Sequence, residues 1–376
     1  MLSSRPLWHR FPLEHSIVRQ PSLTSIWPAV FGTSVTLQDA TEVLLLRNNG
    51  FPIQADQVRV RLNVEIHAFQ VCGPAVGPKF SHRRCVFMEE PLISHVSDTA
   101  FMVAAFRAAE SERPDSLFRD PLASLLAGER GKEIVAKLPK WFLGAWTIAL
   151  RTVIIDDFIA TALQNGVDTV LNLGAGLDTR PYRMALPPNL QWIEVDYPHV
   201  IEWKDGRLSG ERPICRLERI GLDFRDLQAR QKLLSEIRSR AIKILVITEG
   251  VIRYLSNDEA AALASELRKI DRVQFLVVDY YSPDALRYRH RKIRINRLMK
   301  NAPFRFEPED WFQFFDSVGW RPREVRYIAD EAERLNRPIP WSWLQRMLVR
   351  ARTFFMGARR KQAMRNFATY VLLESK

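Results

Sequence analysis

The sequence is poor in cysteine. Three occur in 376 residues, Cys72, Cys85 and Cys215, with no Cys-x-x-Cys pair and no Cys/His spacing suited to zinc. A disulfide scaffold and a zinc module are therefore not expected, and the compartment expected is a reducing cytoplasm. No run of about 18 apolar residues exists, so no transmembrane helix is expected either. The N-terminus carries Arg5 and Arg10 but no uninterrupted apolar stretch, which does not suit a secretory signal. No repeat or low-complexity block is evident. Acid is missing locally: residues 287–300 and 345–365 each hold seven Lys or Arg and no Asp or Glu, within a net charge of +12. Such runs suit a solvated helix face, or attraction to an anionic substrate, an acidic partner or a membrane surface.

What is present is an α/β alternation. Helical spacing begins near Ser97, where Ser97 or Asp98 can cap and Phe101, Met102, Ala105, Phe106 and Ala109 follow. Asp120-Pro121 opens a second helix, with Leu122, Leu125 and Leu126 on one face. A third covers residues 145–165 and stops at Gly166. Strands are expected near 168–173, 190–195, 217–222, 243–248, 273–279, 323–328 and 367–374. The fourth and fifth are nearly continuous apolar runs, as in strands buried on both faces of a mostly parallel sheet. Residues 1–87 differ: prolines and short apolar runs alternate, with short strands possible only at 43–46 and 58–64. They are expected to be a small accessory segment, a disordered extension or sequence upstream of a natural start at Met88, and dispensable for folding.

The most informative stretch runs from Val170 to Arg180. An apolar run breaks into Gly174 and Gly176, the pattern of a buried strand ending in a tight turn beneath a ligand. Twenty residues after Gly176, a second apolar run ends in Asp196, placed to accept from both hydroxyls of a ribose. A dinucleotide fingerprint wants a small third residue where Thr179 stands, flanked by Asp178 and Arg180. An acid opening that helix suits an ammonium or a ribose better than a phosphate. S-adenosylmethionine has no phosphate and fits this pattern. After the third strand, Asp223 and Phe224 can meet an adenine amino group and ring face; Asp223 alternatively caps a helix.

The segments Asn172-Leu-Gly-Ala-Gly-Leu-Asp-Thr-Arg180, Glu194-Val-Asp196-Tyr-Pro198, Leu222-Asp-Phe-Arg-Asp226 and Thr248-Glu249-Gly250-Val-Ile-Arg-Tyr254-Leu resemble the leucine carboxyl methyltransferase-like family. Upstream, Arg107-Ala-Ala-Glu110, Phe118-Arg-Asp-Pro121 and Arg151-Thr-Val-Ile-Ile-Asp-Asp157 also match. The resemblance covers roughly residues 92–376. It implies a class I methyltransferase (Rossmann-like) fold: a seven-stranded, mostly parallel sheet with helices on both faces. A helical cap would occupy 88–165, and a core 166–376, with an acceptor-covering insertion near 284–365. It also implies S-adenosyl-L-methionine as cofactor and O-methylation of a carboxylate or phenol on a small or polyketide-like molecule. Alternatives are protein C-terminal carboxyl methylation and an inactive cofactor-binding partner.

Within that frame, Arg151 pairs with the methionine carboxylate of the cofactor, or is an ordinary surface arginine. Glu249 meets the methionine ammonium, or is a helix N-terminal acid. Gly174, Gly176, Asp178, Asp196, Asp223 and Phe224 complete the expected cofactor set. Tyr254 and Arg253 are the catalytic candidates. Tyr254 either packs or faces the acceptor. Arg253, where the family favours an apolar or small residue, either holds an acceptor carboxylate or points to solvent. His95, His199 and His290 lie nearest plausible clefts, and none is assigned as a base. Residues 341–356 mix Trp, Phe and Met with arginine at helical spacing, consistent with core packing, an acceptor lid or a membrane-surface helix. No metal is expected. Nucleic acid is not expected as substrate, since no Asn/Asp-Pro-Pro-Tyr/Phe motif follows the fourth strand.

Overall fold

A computed structural model describes residues 93–376 except 140–141, 225, 293–295, 298 and 355, so the expectations for residues 1–87 lie outside the described residues. The described elements belong to one unit, Phe87–Lys376. Three helices come first: α1 (Asp98–Ser111), α2 (Ala123–Lys137) and α3 (Gly144–Gln164). Then follow β1 (Thr169–Leu173), α4 (Arg180–Arg183), β2 (Gln191–Asp196), α5 (Pro198–Leu208), β3 (Arg216–Gly221), α6 (Leu227–Arg240) and β4 (Ile244–Ile247). A short 3-10 turn, Ile252–Tyr254, leads to α7 (Asn257–Arg268), β5 (Val273–Tyr281) and α8 (Pro283–His290). The chain ends with α9 (Trp311–Ser317), β6 (Trp320–Tyr327), α10 (Ile328–Arg334), α11 (Trp343–Phe354), α12 (Ala358–Arg365) and β7 (Ala368–Ser375).

The strands form one sheet in the order β3-β2-β1-β4-β5-β7-β6. All neighbours are parallel except β7, which runs antiparallel to both β5 and β6. This is the seven-stranded class I methyltransferase architecture. Strand order reverses between β1 and β4, so the loops leaving their carboxyl ends diverge and open a crevice. β1 and β4 are buried along their whole length, which explains their unbroken apolar pattern. On one face, Leu171, Val195, Val246 and Leu276 pack against α6, α7 and α9. On the other, Val170, Trp192, Leu245 and Val277 pack against Leu150, Ile154 and Phe158 of α3 and Ile328 of α10.

Some local expectations are corrected. Neither Ser97 nor Asp98 caps α1 through its side chain. Asp98 instead turns back to accept from the Ser94 and His95 N–H groups and pairs with Arg130 of α2 at 3.0 Å. α2 begins at Ala123, and Leu125 faces solvent while Leu126 is buried. β6 begins at Trp320, three residues before the start expected from sequence, and its pairing is irregular between Pro322 and Glu324. Proline cannot donate to a ladder, and β6 tolerates it as an edge strand. Trp320 itself is fully buried, its indole N–H donating to Ala264 O at 3.0 Å.

One buried charge cluster joins β2, α5 and β3. Glu194 accepts from Lys204 Nζ at 2.7 Å and Arg219 Nε at 2.9 Å, and neither Glu194 nor Lys204 is exposed. Burial pushes the Lys204 amine down from its ordinary value, with Glu194 opposing. Removing one partner leaves a buried charge under-compensated. Lys204→Met is expected to cost about 3 kcal/mol in denaturant unfolding, and adding Glu194→Gln should recover part of the loss. An unchanged transition midpoint in the single variant would contradict this account.

Candidate cofactor and acceptor site

The chain leaves β1 through Gly174 (φ +66°) and Gly176 (φ +51°), both left-handed and so suited to glycine. A Cβ on Gly174 would collide with Val251 Cγ2, and one on Gly176 would come within 3.1 Å of Ala100 Cβ of α1. The turn is thus clamped between the loop after β4 and the helical cap. At the end of β2, Asp196 Oδ2 accepts from Gly176 N at 2.6 Å and Oδ1 from Tyr197 N at 2.7 Å. Burial raises the Asp196 carboxyl above its usual range, and those two N–H groups offset only part of that. At the next strand end, Asp226 is the residue that caps α6, accepting from Ala229 N. The capping alternative for Asp223 is therefore excluded. Phe224 packs partly buried against the core on that face.

The centre of the site is a guanidinium to which sequence spacing assigns no role. Arg180, 2% exposed, bonds Asp156 Oδ1 at 2.7 Å, Asp178 Oδ2 at 2.9 Å and Glu249 Oε2 at 2.8 Å. Arg151 Nε lies 2.7 Å from Glu249 Oε1, and Arg183 reaches Asp156 at 2.7 Å. Asp178 also accepts from Asn172 Nδ2 at 2.9 Å. Burial works against both carboxylates, but the surrounding charges prevail. Arg180, Lys204, Arg107 and Arg183 hold Asp178 below the ordinary range, and Arg151 and Arg180 do the same for Glu249. Arg151 is buried, so it is no surface arginine, and Glu249 serves as an ion-pair partner, not as a helix-start acid.

The cap is wired to the same loop. Arg107 of α1 donates to Leu177 O at 2.5 Å and to Asp120 Oδ2 at 2.9 Å, and Thr179 Oγ1 donates to that same Asp120 oxygen at 2.6 Å. At the rim, Ser97 Oγ lies 2.9 Å from His95 Nδ1 and 3.0 Å from His199 Nε2, and the His199 ring stacks on Tyr197. His199 occupies the first turn of α5, as its position after Pro198 implies.

A second concavity opens beyond β4. Gly250 N donates to Asp279 Oδ1 at 3.3 Å, and Asp279 Oδ2 pairs with Arg253 at 2.7 Å. Arg253 does not point to solvent: its guanidinium also lies over the Tyr281 and Phe304 rings at 4.9 and 5.0 Å. These residues border a cavity of about 460 Å³ with Tyr280, Phe306 and Trp311 among its walls. Tyr254 packs edge-on to Phe304 and beside Ile93, Ile134 and Met299. His290 sits at this cavity, 2.7 Å from Glu307. Within the 341–356 stretch, Trp343, Leu344, Met347 and Leu348 are exposed and are not among the residues that line this cavity. Among the described residues, no His, Cys, Asp and Glu group is arranged for a metal ion, and no helix is long and apolar enough to cross a membrane.

The residues at the crevice suit a nucleoside carrying a zwitterionic tail. Acids stand at the ends of β1, β2 and β4, where a pyrophosphate would be repelled, and the buried Arg151 Nε lacks a geometrically sound hydrogen bond. Fold and site together define a class I nucleoside-cofactor transferase.

The family model described as leucine carboxyl methyltransferase matches residues 100–268. A relative from Frankia alni is 30% identical over 266 residues, 65% of this chain and 89% of that protein. One from Streptomyces coelicolor is 36% identical over 184 residues, 46% of this chain and 65% of that protein. Both are named as S-adenosyl-L-methionine-dependent methyltransferases. A crystal structure named as a methyltransferase from Thermobifida fusca aligns at 14% identity and a TM-score of 0.46, over 77% of this chain and 99% of that one. The chain belongs to the leucine carboxyl methyltransferase family of S-adenosylmethionine-dependent methyltransferases.

The depressed carboxylates predict an acid response. A carboxylate whose folded pKa is lowered contributes stability above its unfolded pKa and loses it as pH falls toward the folded value. Melting temperature should be flat above about pH 5 and drop steadily below about pH 4. Asp178→Asn should flatten that acid limb in differential scanning calorimetry. A wild-type-like limb in the variant would remove Asp178 from the linkage.

Proposed function

We propose that this S-adenosylmethionine-dependent methyltransferase methylates an oxygen, the carboxylate or phenol of a small or polyketide-like molecule. The observation that carries the reading is the aromatic cavity that shares Asp279 with the loop after β4. When bound, the cofactor supplies an electrophilic methyl group on a sulfonium. Asp196 holds the ribose hydroxyls, and Asp223 and Phe224 hold the adenine. Gly174 and Gly176 let the backbone pass close beneath. Arg151 takes the methionine carboxylate and Glu249 the ammonium, while Asp178 fixes Arg180 and with it the loop.

The acceptor lies in the cavity, where the chain's task is to align an oxygen and exclude water. A carboxylate acceptor is already ionised and needs no base, whereas a phenol does. The cations favour the carboxylate. Arg253 is neutralised by Asp279 and Arg287 by Asp284. Arg289 has no ion pair among the described residues; it stands behind the cavity wall, resting on the lining Phe304 ring 3.2 Å from its centroid. Burial pushes its guanidinium down to about 10, and the nearby Arg253 charge adds to that. An anionic acceptor group beside Arg289 relieves this clustering of positive charge.

Two measurements test the reading. Asp196→Ala should weaken cofactor binding by about 1–3 kcal/mol in calorimetry; unchanged affinity would take Asp196 out of the site. Candidate acceptors are then incubated with labelled S-adenosylmethionine. The expected product is a base-labile methyl ester, with a KM for the acceptor about tenfold higher in Arg289→Ala and an unchanged cofactor affinity. A base-stable ether would favour the phenol, and tight cofactor binding with no transfer to any acceptor would favour an inactive partner protein.

A further inference from the structure

Helix α11 is inside out. At about 100° per residue, Trp343, Met347, Ala351, Leu344 and Leu348 fall within an arc of about 140°. That arc faces solvent: Trp343 is 67%, Leu344 55%, Met347 60% and Leu348 70% exposed. The half-buried positions of the helix, Val349 and Thr353, lie on roughly the opposite side. A helix that packed on a core through its apolar stripe would have these exposures reversed. Large apolar side chains clustered in solvent mark an interaction surface.

The surroundings of the stripe are basic. Arg350 borders it beside Trp343, Arg346 stands next along the same edge, and the following helix α12 adds exposed Arg359, Arg360 and Lys361. None of these five makes an ion pair among the described residues. No Asp or Glu occurs anywhere from residue 335 to residue 373.

We propose that α11 docks the protein on an anionic lipid surface. The Trp343–Leu348 stripe enters the boundary between headgroups and acyl chains, and the flanking arginines and Lys361 meet lipid phosphates. A long arginine can keep its stem against the apolar stripe while its guanidinium reaches a headgroup. Charge decides against a second copy of the chain as occupant. A two-fold contact through this stripe would bring the same basic rim against itself, with no acid nearby to compensate. The proposal concerns a surface outside the acceptor cavity and stands independently of the acceptor's identity.

The test uses the full-length protein and vesicle sedimentation. Vesicles of phosphatidylcholine alone are compared with vesicles containing about one-third phosphatidylglycerol, at low salt and at high salt where surface charges are screened. The protein should pellet with the anionic vesicles, remain in solution with the zwitterionic ones, and be largely released by high salt. Trp343→Ser combined with Leu348→Glu should abolish pelleting while circular dichroism and cofactor affinity stay unchanged, because both side chains are in solvent. Three outcomes would overturn the proposal. They are no pelleting with anionic vesicles, equal pelleting of the double variant, or a dimer in sedimentation velocity that the double variant dissociates without any vesicle binding by the wild type.

Discussion

The crevice depends on one buried guanidinium. Arg180 gathers Asp156 from α3, Asp178 from the turn after β1 and Glu249 from the loop after β4. Those three segments come from opposite sides of the point where strand order reverses. Parallel sheets leave such loops free to diverge, and hydrophobic packing beneath cannot dictate their separation. Opposite charges in a desolvated site can, since an unpaired member would be costly. With Arg151 closing the other oxygen of Glu249, the network presents a rigid, polar end wall beneath the crevice.

The helical cap is part of this construction. Arg107 and Asp120 come from the cap, yet their hydrogen bonds end on Leu177 and Thr179 in the turn that carries Gly176. Ala100 sits where a Cβ on Gly176 would go. A second set of contacts ties the cap to the far end of the chain, with Arg337 paired to Glu110 and Arg337 O accepting from the Trp146 indole. The cap is thus built into the site from both directions.

The large positive charge divides into two populations. Arg107, Arg151, Arg180, Arg183, Arg219 and Arg253 are largely buried and matched by carboxylates. The excess is concentrated in the acid-free runs 287–300 and 345–365, the second of them on α11 and α12, where apolar side chains also stand in solvent. The cations of α11 and α12 that lack ion pairs are available to act on surroundings.

Sequence alone determined the sheet. Strand periodicity, the Gly174–Gly176 break and the acid ending β2 placed seven strands within a few residues, because those signals are local. Pro322 hid the start of β6 for a local reason too: it breaks a strand pattern that an edge can tolerate. The crevice acids Asp196, Asp178 and Glu249 were legible as candidates because each stands at a strand end or in the turn that follows one. Their partners were not. Arg180 and Asp279 were recognised only as motif or strand residues, since pairing partners 69 and 29 residues away leave no mark on spacing. The outward face of α11 was equally hidden, because an amphipathic pattern gives a helix two faces without stating which one meets the protein. Only the tertiary structure made that choice, by turning Val349 and Thr353 inward and leaving Trp343 and Leu348 in solvent.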